Sequence, residues 1–214
     1  MINQYFFLMQ NKNIKPLKRI NQRAWQRMLS GRKLDILSPS PFDIEIEDIA
    51  LGLSRVTRWN GQTTGKHPYS VAQHSMLVEE LFNIEYPNLD KKWNLAALLH
   101  DAPEYVIGDL ITPFKYALNN SYRYVEDNLM KAIYLRFGLP AILPKQIETK
   151  IKKIDKALAW FEAIDLAGYE EKEASQIIKK PSLNSKHQVI ITMSANDIQK
   201  KFLRRFQEIV LEKT

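Results

Sequence analysis

The chain has 214 residues, a length that one hydrophobic core can organise, and its 45% apolar and 26% charged residues exclude a disordered or collagen-like protein. It contains no cysteine, which excludes disulfide scaffolds, thiolate-bound metals and a thiol nucleophile. The net charge of +7 suits an anionic substrate or a polyanionic partner without choosing between them.

Long stretches rich in Leu, Ile, Lys and Glu, with only 7 glycines and 10 prolines, predict an all-α protein. We expect one helical bundle of six or more helices over residues 46–214, preceded by an N-terminal arm over residues 1–45. Alternating apolar residues around Leu34 favour a small β-hairpin in this arm. No apolar run approaches the ~20 residues of a membrane span, and the N-terminus lacks a signal-peptide cleavage site. These features predict a cytoplasmic protein that does not contact membranes.

Periodic apolar residues and capping signals place the individual helices. Ser70 is a typical N-cap, and Pro103 should interrupt a helix because proline cannot continue one without strain. The patterns predict helices over residues 46–53, 70–82, 90–100, 121–137 and 144–167, a short helix beginning at Thr112, a helix from Asn196 onwards, and a short strand over residues 188–192.

Three polar residues occupy positions where the helical stripes call for apolar ones: His74, His100 and Asp155. Asp101 follows His100 directly and adds a second carboxylate at the interrupted helix end. A buried ionised carboxylate costs several kcal/mol unless it is paired or bound to a metal. Two imidazoles and two carboxylates that project inward from three helices would suit one divalent cation. The sequence therefore predicts a metal site made of these four residues.

The segments around these residues resemble the HD-domain superfamily of metal-dependent phosphohydrolases, and in particular its bacterial and phage 5'-deoxynucleotidase branch. Three segments carry the resemblance, in the expected order: YSVAQHS (69–75), HDAPE (100–104) and GDLITPFK (108–115). The resemblance covers roughly residues 30–168, and three ordered motifs are far more specific than an isolated His-Asp pair. It implies an HD-type helical bundle with a single divalent ion, whose identity among Mn, Co, Zn, Fe, Ni and Mg stays open.

The resemblance also implies roles for residues outside the metal cluster. Glu104 and Asp109 match catalytic carboxylates of this branch. Substrate-binding positions match Arg58, Trp59, Thr112 and Lys115. The physical chemistry agrees: Glu104 lies about one helical turn beyond Asp101, and an arginine fork fits a phosphate group.

These residues predict an enzyme that cleaves the 5'-phosphate ester of (deoxy)ribonucleoside monophosphates with metal-activated water. A related enzyme that releases triphosphate from a dNTP would need the same metal and arginine, and it stays open. Hydrolysis of (p)ppGpp is disfavoured because Tyr105 follows Glu104, and cyclic dinucleotides are disfavoured because residues 167–169 lack that family's flanking motif. A non-enzymatic nucleic-acid-binding protein with a structural metal is a further alternative, although the scattered basic patches disfavour it. A homodimer is a candidate assembly, since the related branch commonly dimerises.

Overall fold

The computed structural model describes residues 24–111, 114–115, 119–182 and 189–212, which are mostly helical. This confirms the predicted all-α class with a small N-terminal hairpin. The elements are β1 (Trp25–Arg27), β2 (Lys33–Asp35), α1 (Ile46–Leu53), α2 (Val71–Glu85), α3 (Lys92–Leu98), α4 (Glu104–Ile107), α5 (Asn119–Arg136), α6 (Lys145–Asp165), α7 (Glu171–Ile177) and α8 (Ala195–Leu211), with short 3-10 turns at Pro41–Asp43 and Arg58–Gly61.

The N-terminal hairpin is fixed to the bundle through its turn. Strands β1 and β2 pair antiparallel, with Trp25 opposite Asp35. At the turn, the backbone N–H and the hydroxyl of Ser30 both donate to the carboxylate of the buried Asp48 on α1. Leu34 on β2 is fully buried in the main core. The hairpin is therefore part of the same packed body as α1.

Helix α2 occupies the centre of the bundle and packs against α3, α6 and α8. Its start agrees with the sequence pattern, because the Ser70 side chain accepts a hydrogen bond from the backbone N–H of Gln73. Val71, Val78 and Phe82 are fully buried along it. This central position allows a polar residue of α2 to meet side chains from several other elements.

The segment between α3 and α4 differs from the sequence expectation. The sequence predicts a helix that extends to His100, but α3 ends at Leu98. His100 and Asp101 therefore lie in a turn that follows the helix. Pro103 directly precedes α4, and α4 packs against α1 at Gly52. A Cβ at Gly52 would lie 2.7 Å from Tyr105 Cβ, so only glycine permits this close approach.

Helix α6 is the longest element and passes alongside the metal-ligand candidates. Ile151, Ile154 and Leu158 are buried on it, as the apolar stripe predicts.

Among the described residues, no helix combines the length and the apolar character that crossing a bilayer requires.

Two features in the C-terminal part of the chain depart from the sequence prediction. The strand predicted over residues 188–192 is wrong for residues 189–192, which are irregular, and Gln188 lies outside the described residues. Side chains hold this backbone instead: Gln73 binds Ile191 O and Met193 N–H, and Asp165 accepts from Ile190 N–H. Helix α7 was not predicted. The predicted helix start at Thr112 also lies outside the described residues.

Candidate metal and substrate site

The structure brings together the four residues that the sequence predicts as metal ligands. His74 comes from α2, His100 and Asp101 from the turn after α3, and Asp155 from α6. One donor atom from each lies within 4.8 Å of the others. His74 Nε2 is 3.1 Å from Asp155 Oδ1, and His100 Nε2 is 3.3 Å from Asp101 Oδ2. The cluster joins three separate parts of the chain.

The two histidine rings are oriented as metal ligands would be. His74 Nδ1 contacts Glu162 Oε1 at 2.5 Å, and His100 Nδ1 contacts the carbonyl oxygen of Ala97 at 2.8 Å. Each Nε2 is buried and has no hydrogen-bond partner of acceptable geometry within the described residues. Metal-bound histidines commonly show this arrangement, with one nitrogen fixed by an acceptor and the other at the metal. The residues present therefore fit a divalent cation.

The two carboxylates of the cluster favour the ionised form that metal binding requires. Burial opposes ionisation of Asp101, but the nearby His100 and His74 rings outweigh it and lower its pKa. The same balance between burial and the two histidines lowers the pKa of Asp155 well below its ordinary value. Burial opposes protonation of His74 and His100, but the neighbouring carboxylates raise the pKa of both rings, so a bound cation would take the place of protons. Once deprotonated, the two imidazoles and the ionised carboxylates are a donor set for a borderline or hard divalent ion.

Arg58 extends from a tight turn to the edge of the cluster. Its Nε donates to Glu162 Oε2 at 3.0 Å, and one terminal nitrogen lies 3.5 Å from Asp101 Oδ2. The two following residues, Trp59 and Asn60, have φ angles of 56° and 51°, in the left-handed region that bulky residues rarely adopt. A positive charge is thus held next to the candidate metal ligands.

Glu162 is the residue that sequence reasoning missed. It is fully buried on α6, and its carboxylate contacts four groups: Arg58 Nε, Trp59 Nε1, Tyr69 OH and His74 Nδ1. Burial opposes its ionisation, but the charge of Arg58 and the hydrogen bonds from His74 and Trp59 hold its pKa at about 2. The signal that could have revealed it is its spacing: Glu162 lies seven residues after Asp155, which is two helical turns along the same face.

Glu104 lies beside the cluster at the start of α4. It is only 3% exposed, and its Oε2 has no hydrogen-bond partner in the part of the chain that the structure describes. Burial, reinforced by the charges of Asp101 and Asp109, raises the pKa of Glu104 well above its ordinary value. Burial also raises the pKa of Asp109. Two carboxyl groups with altered proton affinity therefore lie close to the candidate ligands.

Two of the remaining predicted substrate residues are described. Lys115 Nζ lies 3.7 Å from Glu104 Oε1 and 3.5 Å from Glu126 Oε1. Trp59 donates to Glu162 and packs near the ring of Tyr169, with centroids 6.0 Å apart, so it lies on the Glu162 side of the cluster. Thr112 lies outside the described residues. The substrate roles of all three residues stay predictions.

A cavity of about 530 Å³ opens from the cluster towards α5 and α6. Its inner end includes His100, Asp101, Glu104 and Asp155, and its apolar wall includes Met130. The remaining lining residues are Pro103, Glu126, Asp127, Lys131, Tyr134, Ala141, Ile142, Leu143, Glu148, Ile151 and Lys152. A drug-sized or nucleotide-sized ligand fits a cavity of this volume.

A helical bundle with this cluster of two histidines and two aspartates is that of an HD-type hydrolase. The family model described as "5'-deoxynucleotidase YfbR-like" matches residues 50–167, and the chain belongs to the YfbR-like family. The uncharacterized protein RCAP_rcc00048 of Rhodobacter capsulatus is 59% identical over 160 residues, which are 75% of this chain and 82% of that protein. The uncharacterized protein YfdR of Escherichia coli is 34% identical over 124 residues, which are 58% of this chain and 62% of that protein.

Proposed function

We propose that this protein is a metal-dependent phosphohydrolase that cleaves the 5'-phosphate ester of (deoxy)ribonucleoside monophosphates. The observation that carries the proposal is the partly buried Arg58 guanidinium, 3.5 Å from Asp101 within a cluster suited to a divalent ion. A cation and an arginine at one site provide positive charge for a phosphate group from two directions. The YfbR-like family supports a nucleotide as the substrate.

The cluster residues His74, His100, Asp101 and Asp155 would hold the ion. When bound, a divalent ion lowers the pKa of water and withdraws charge from a phosphoryl oxygen. Arg58 would bind the phosphate through its terminal nitrogens, because its Nε is already bonded to Glu162. Burial opposes the charged form of Arg58, but Glu162 and Asp101 raise its pKa well above the ordinary value, so the guanidinium stays charged.

Glu104 is the proposed proton-transfer residue. Its raised pKa favours a protonated carboxyl, which can donate a proton to the leaving 5'-oxygen and can later accept one. Asp109, whose pKa is also raised, is the second candidate for this step. Lys115 lies near Glu104 and supplies positive charge at the same edge of the site.

The charges around the cavity support a monophosphate substrate over a triphosphate. Two lysines line it, but Lys152 is 2.6 Å from Glu148, so its charge is already paired. Glu126 and Asp127 add further negative charge to the lining. A triphosphate chain would need several unpaired cations there. The rival dNTP triphosphohydrolase activity is therefore the second candidate.

A product-resolved substrate screen tests the proposal. The purified protein would be incubated with each nucleoside mono- and triphosphate, with Mn²⁺, Co²⁺, Zn²⁺ or Mg²⁺, and the products separated. We expect inorganic phosphate and nucleoside from monophosphates. Release of intact triphosphate from dNTPs would overturn the proposal in favour of the rival enzyme. A metal-loaded protein that hydrolyses neither class would instead support the non-enzymatic alternative.

A further inference from the structure

We infer that Glu162 is a positioning residue whose single carboxylate orients two side chains. It turns Nε2 of His74 towards the metal site, and it turns the terminal nitrogens of Arg58 towards the phosphate. For its Arg58 half, the inference rests on the proposed function. The observation behind it is the division of the Glu162 carboxylate. Oε1 accepts from Tyr69 OH at 2.9 Å and meets His74 Nδ1 at 2.5 Å, while Oε2 accepts from Arg58 Nε and Trp59 Nε1, each at 3.0 Å.

The contact with Glu162 decides which nitrogen His74 presents to the cluster. An ionised carboxylate can only accept hydrogen bonds, so His74 Nδ1 must carry a proton to bond with it. In the neutral ring, Nε2 then keeps its lone pair, and this atom lies 3.1 Å from Asp155 Oδ1 within the cluster. A carboxylate behind a metal-bound histidine fixes the tautomer and orientation of the ring in this way.

The other oxygen of Glu162 acts on the Arg58 turn. Because Nε bonds to Glu162, the terminal nitrogens of Arg58 point towards the cluster, where one lies 3.5 Å from Asp101. The next residue, Trp59, holds a φ of 56° and donates its indole N–H to the same oxygen. Such a conformation persists only where surrounding contacts hold it. Glu162 therefore stabilises the turn as well as the guanidinium.

A second buried glutamate shows that such a carboxylate need not have this role. Glu79, on α2, uses both oxygens on one partner, Arg205, at 2.7 and 2.8 Å. Glu162 instead joins α6 to the Arg58 turn, to Tyr69 and to α2. The difference in partners makes Glu79→Gln a matched control, since both substitutions remove one buried negative charge.

The test compares Glu162→Gln with Glu79→Gln by three measurements: Mn²⁺ affinity from calorimetry, KM for a nucleoside monophosphate at saturating Mn²⁺, and Tm. A glutamine has one carbonyl oxygen, so one pair of donors faces an amide N–H group. We expect Glu162→Gln to weaken Mn²⁺ binding by roughly 10- to 100-fold. We also expect KM to rise by about tenfold, as for one weakened charge-assisted hydrogen bond. Glu79→Gln should lower Tm and leave both binding constants within about twofold.

The outcomes separate this inference from the proposed function. If Glu162→Gln lowers Tm but leaves Mn²⁺ affinity and KM unchanged, Glu162 is merely structural and the inference is overturned. If the native protein binds Mn²⁺ but cleaves no nucleotide, the proposed function is wrong, and the Mn²⁺ comparison alone decides the role towards His74. If Glu162→Gln does not fold, ¹⁵N NMR of the Zn²⁺-loaded native protein provides the test: a protonated Nδ1 on His74 supports the inference, and a metal-bound Nδ1 overturns it.

Discussion

Helix α2 carries two buried ionisable residues with opposite hydrogen-bonding outcomes. The carboxylate of Glu79 is saturated by the guanidinium of Arg205 from α8. His74, nearer the start of the helix, bonds to Glu162 through one nitrogen and leaves the other without a partner among the described residues. Buried polar atoms are usually satisfied, so an unsatisfied one needs an explanation. The Glu79 end of α2, which we call the saturated end, makes a structural ion pair. The His74 end, which we call the unsatisfied end, presents a ring nitrogen that fits a ligand.

The largest effect should come from removing a ligand at the unsatisfied end. His100→Ala leaves three of the four candidate ligands, because it removes the imidazole Nε2 that the turn after α3 contributes to the cluster. We expect hydrolysis to fall below detection and bound metal, measured by plasma emission spectroscopy, to drop far below stoichiometric content. His67→Ala, at a partly buried histidine of the loop before α2, is the control and should keep both. Stoichiometric metal in His100→Ala would contradict the four-ligand site.

The next effect concerns proton transfer by a side chain that does not belong to the four-residue cluster. Glu104→Gln keeps size and hydrogen bonding but cannot exchange a proton, so kcat should fall by roughly 10² to 10⁴ while Mn²⁺ affinity is retained. Glu171→Gln, at an exposed glutamate that is paired with Lys180 and does not line the cavity, is the control and should keep kcat within about threefold. Normal turnover in Glu104→Gln with slow turnover in Asp109→Asn would assign the proton transfer to Asp109.

A smaller effect distinguishes the two arginines that donate through Nε to buried glutamates. Arg58→Lys replaces a fork by a point charge and also loses the bond to Glu162, so KM should rise by about 10- to 100-fold. Arg205→Lys makes the same chemical change at Glu79 and should lower Tm without changing KM. A near-native kcat/KM in Arg58→Lys would indicate that another cation binds the phosphate. Lys115 would then be the first residue to examine, since its Nζ lies 3.7 Å from Glu104 Oε1 at the edge of the site.

The smallest effect on activity is expected at the saturated end. Glu79→Leu alone removes the buried partner of Arg205, which keeps its contact with Glu208, and we expect a loss on the order of 2 kcal/mol in the free energy of unfolding. The double variant Glu79→Leu with Arg205→Met should regain most of that loss, because apolar residues can replace a buried ion pair. Urea unfolding measures both, and kcat/KM should stay near the native value. A double variant with impaired metal binding would contradict the separation of the two ends.

Local sequence signals were sufficient for most of the helices. The Ser70 cap and the apolar stripes of α1, α2, α6 and α8 depend on residues a few positions apart, and the structure has all four helices. The end of α3 was harder to place, since Leu99 continues the apolar run although the helix stops at Leu98. The wrong strand over residues 189–192 has a similar cause: a run of β-branched residues resembles a strand, but the contacts that hold this segment come from Gln73 and Asp165.

The sequence by itself determined which residues interrupt the apolar stripes, and therefore pointed to His74, His100 and Asp155, with Asp101 added because it follows His100 directly. A polar residue at a core position can be recognised from its own helix, because helical periodicity is local. The role of Glu162 was decided only by the tertiary structure. Its four partners lie 88 to 104 residues earlier in the chain. No local pattern specifies such pairings, since they depend on how α6 packs against α2 and the Arg58 turn.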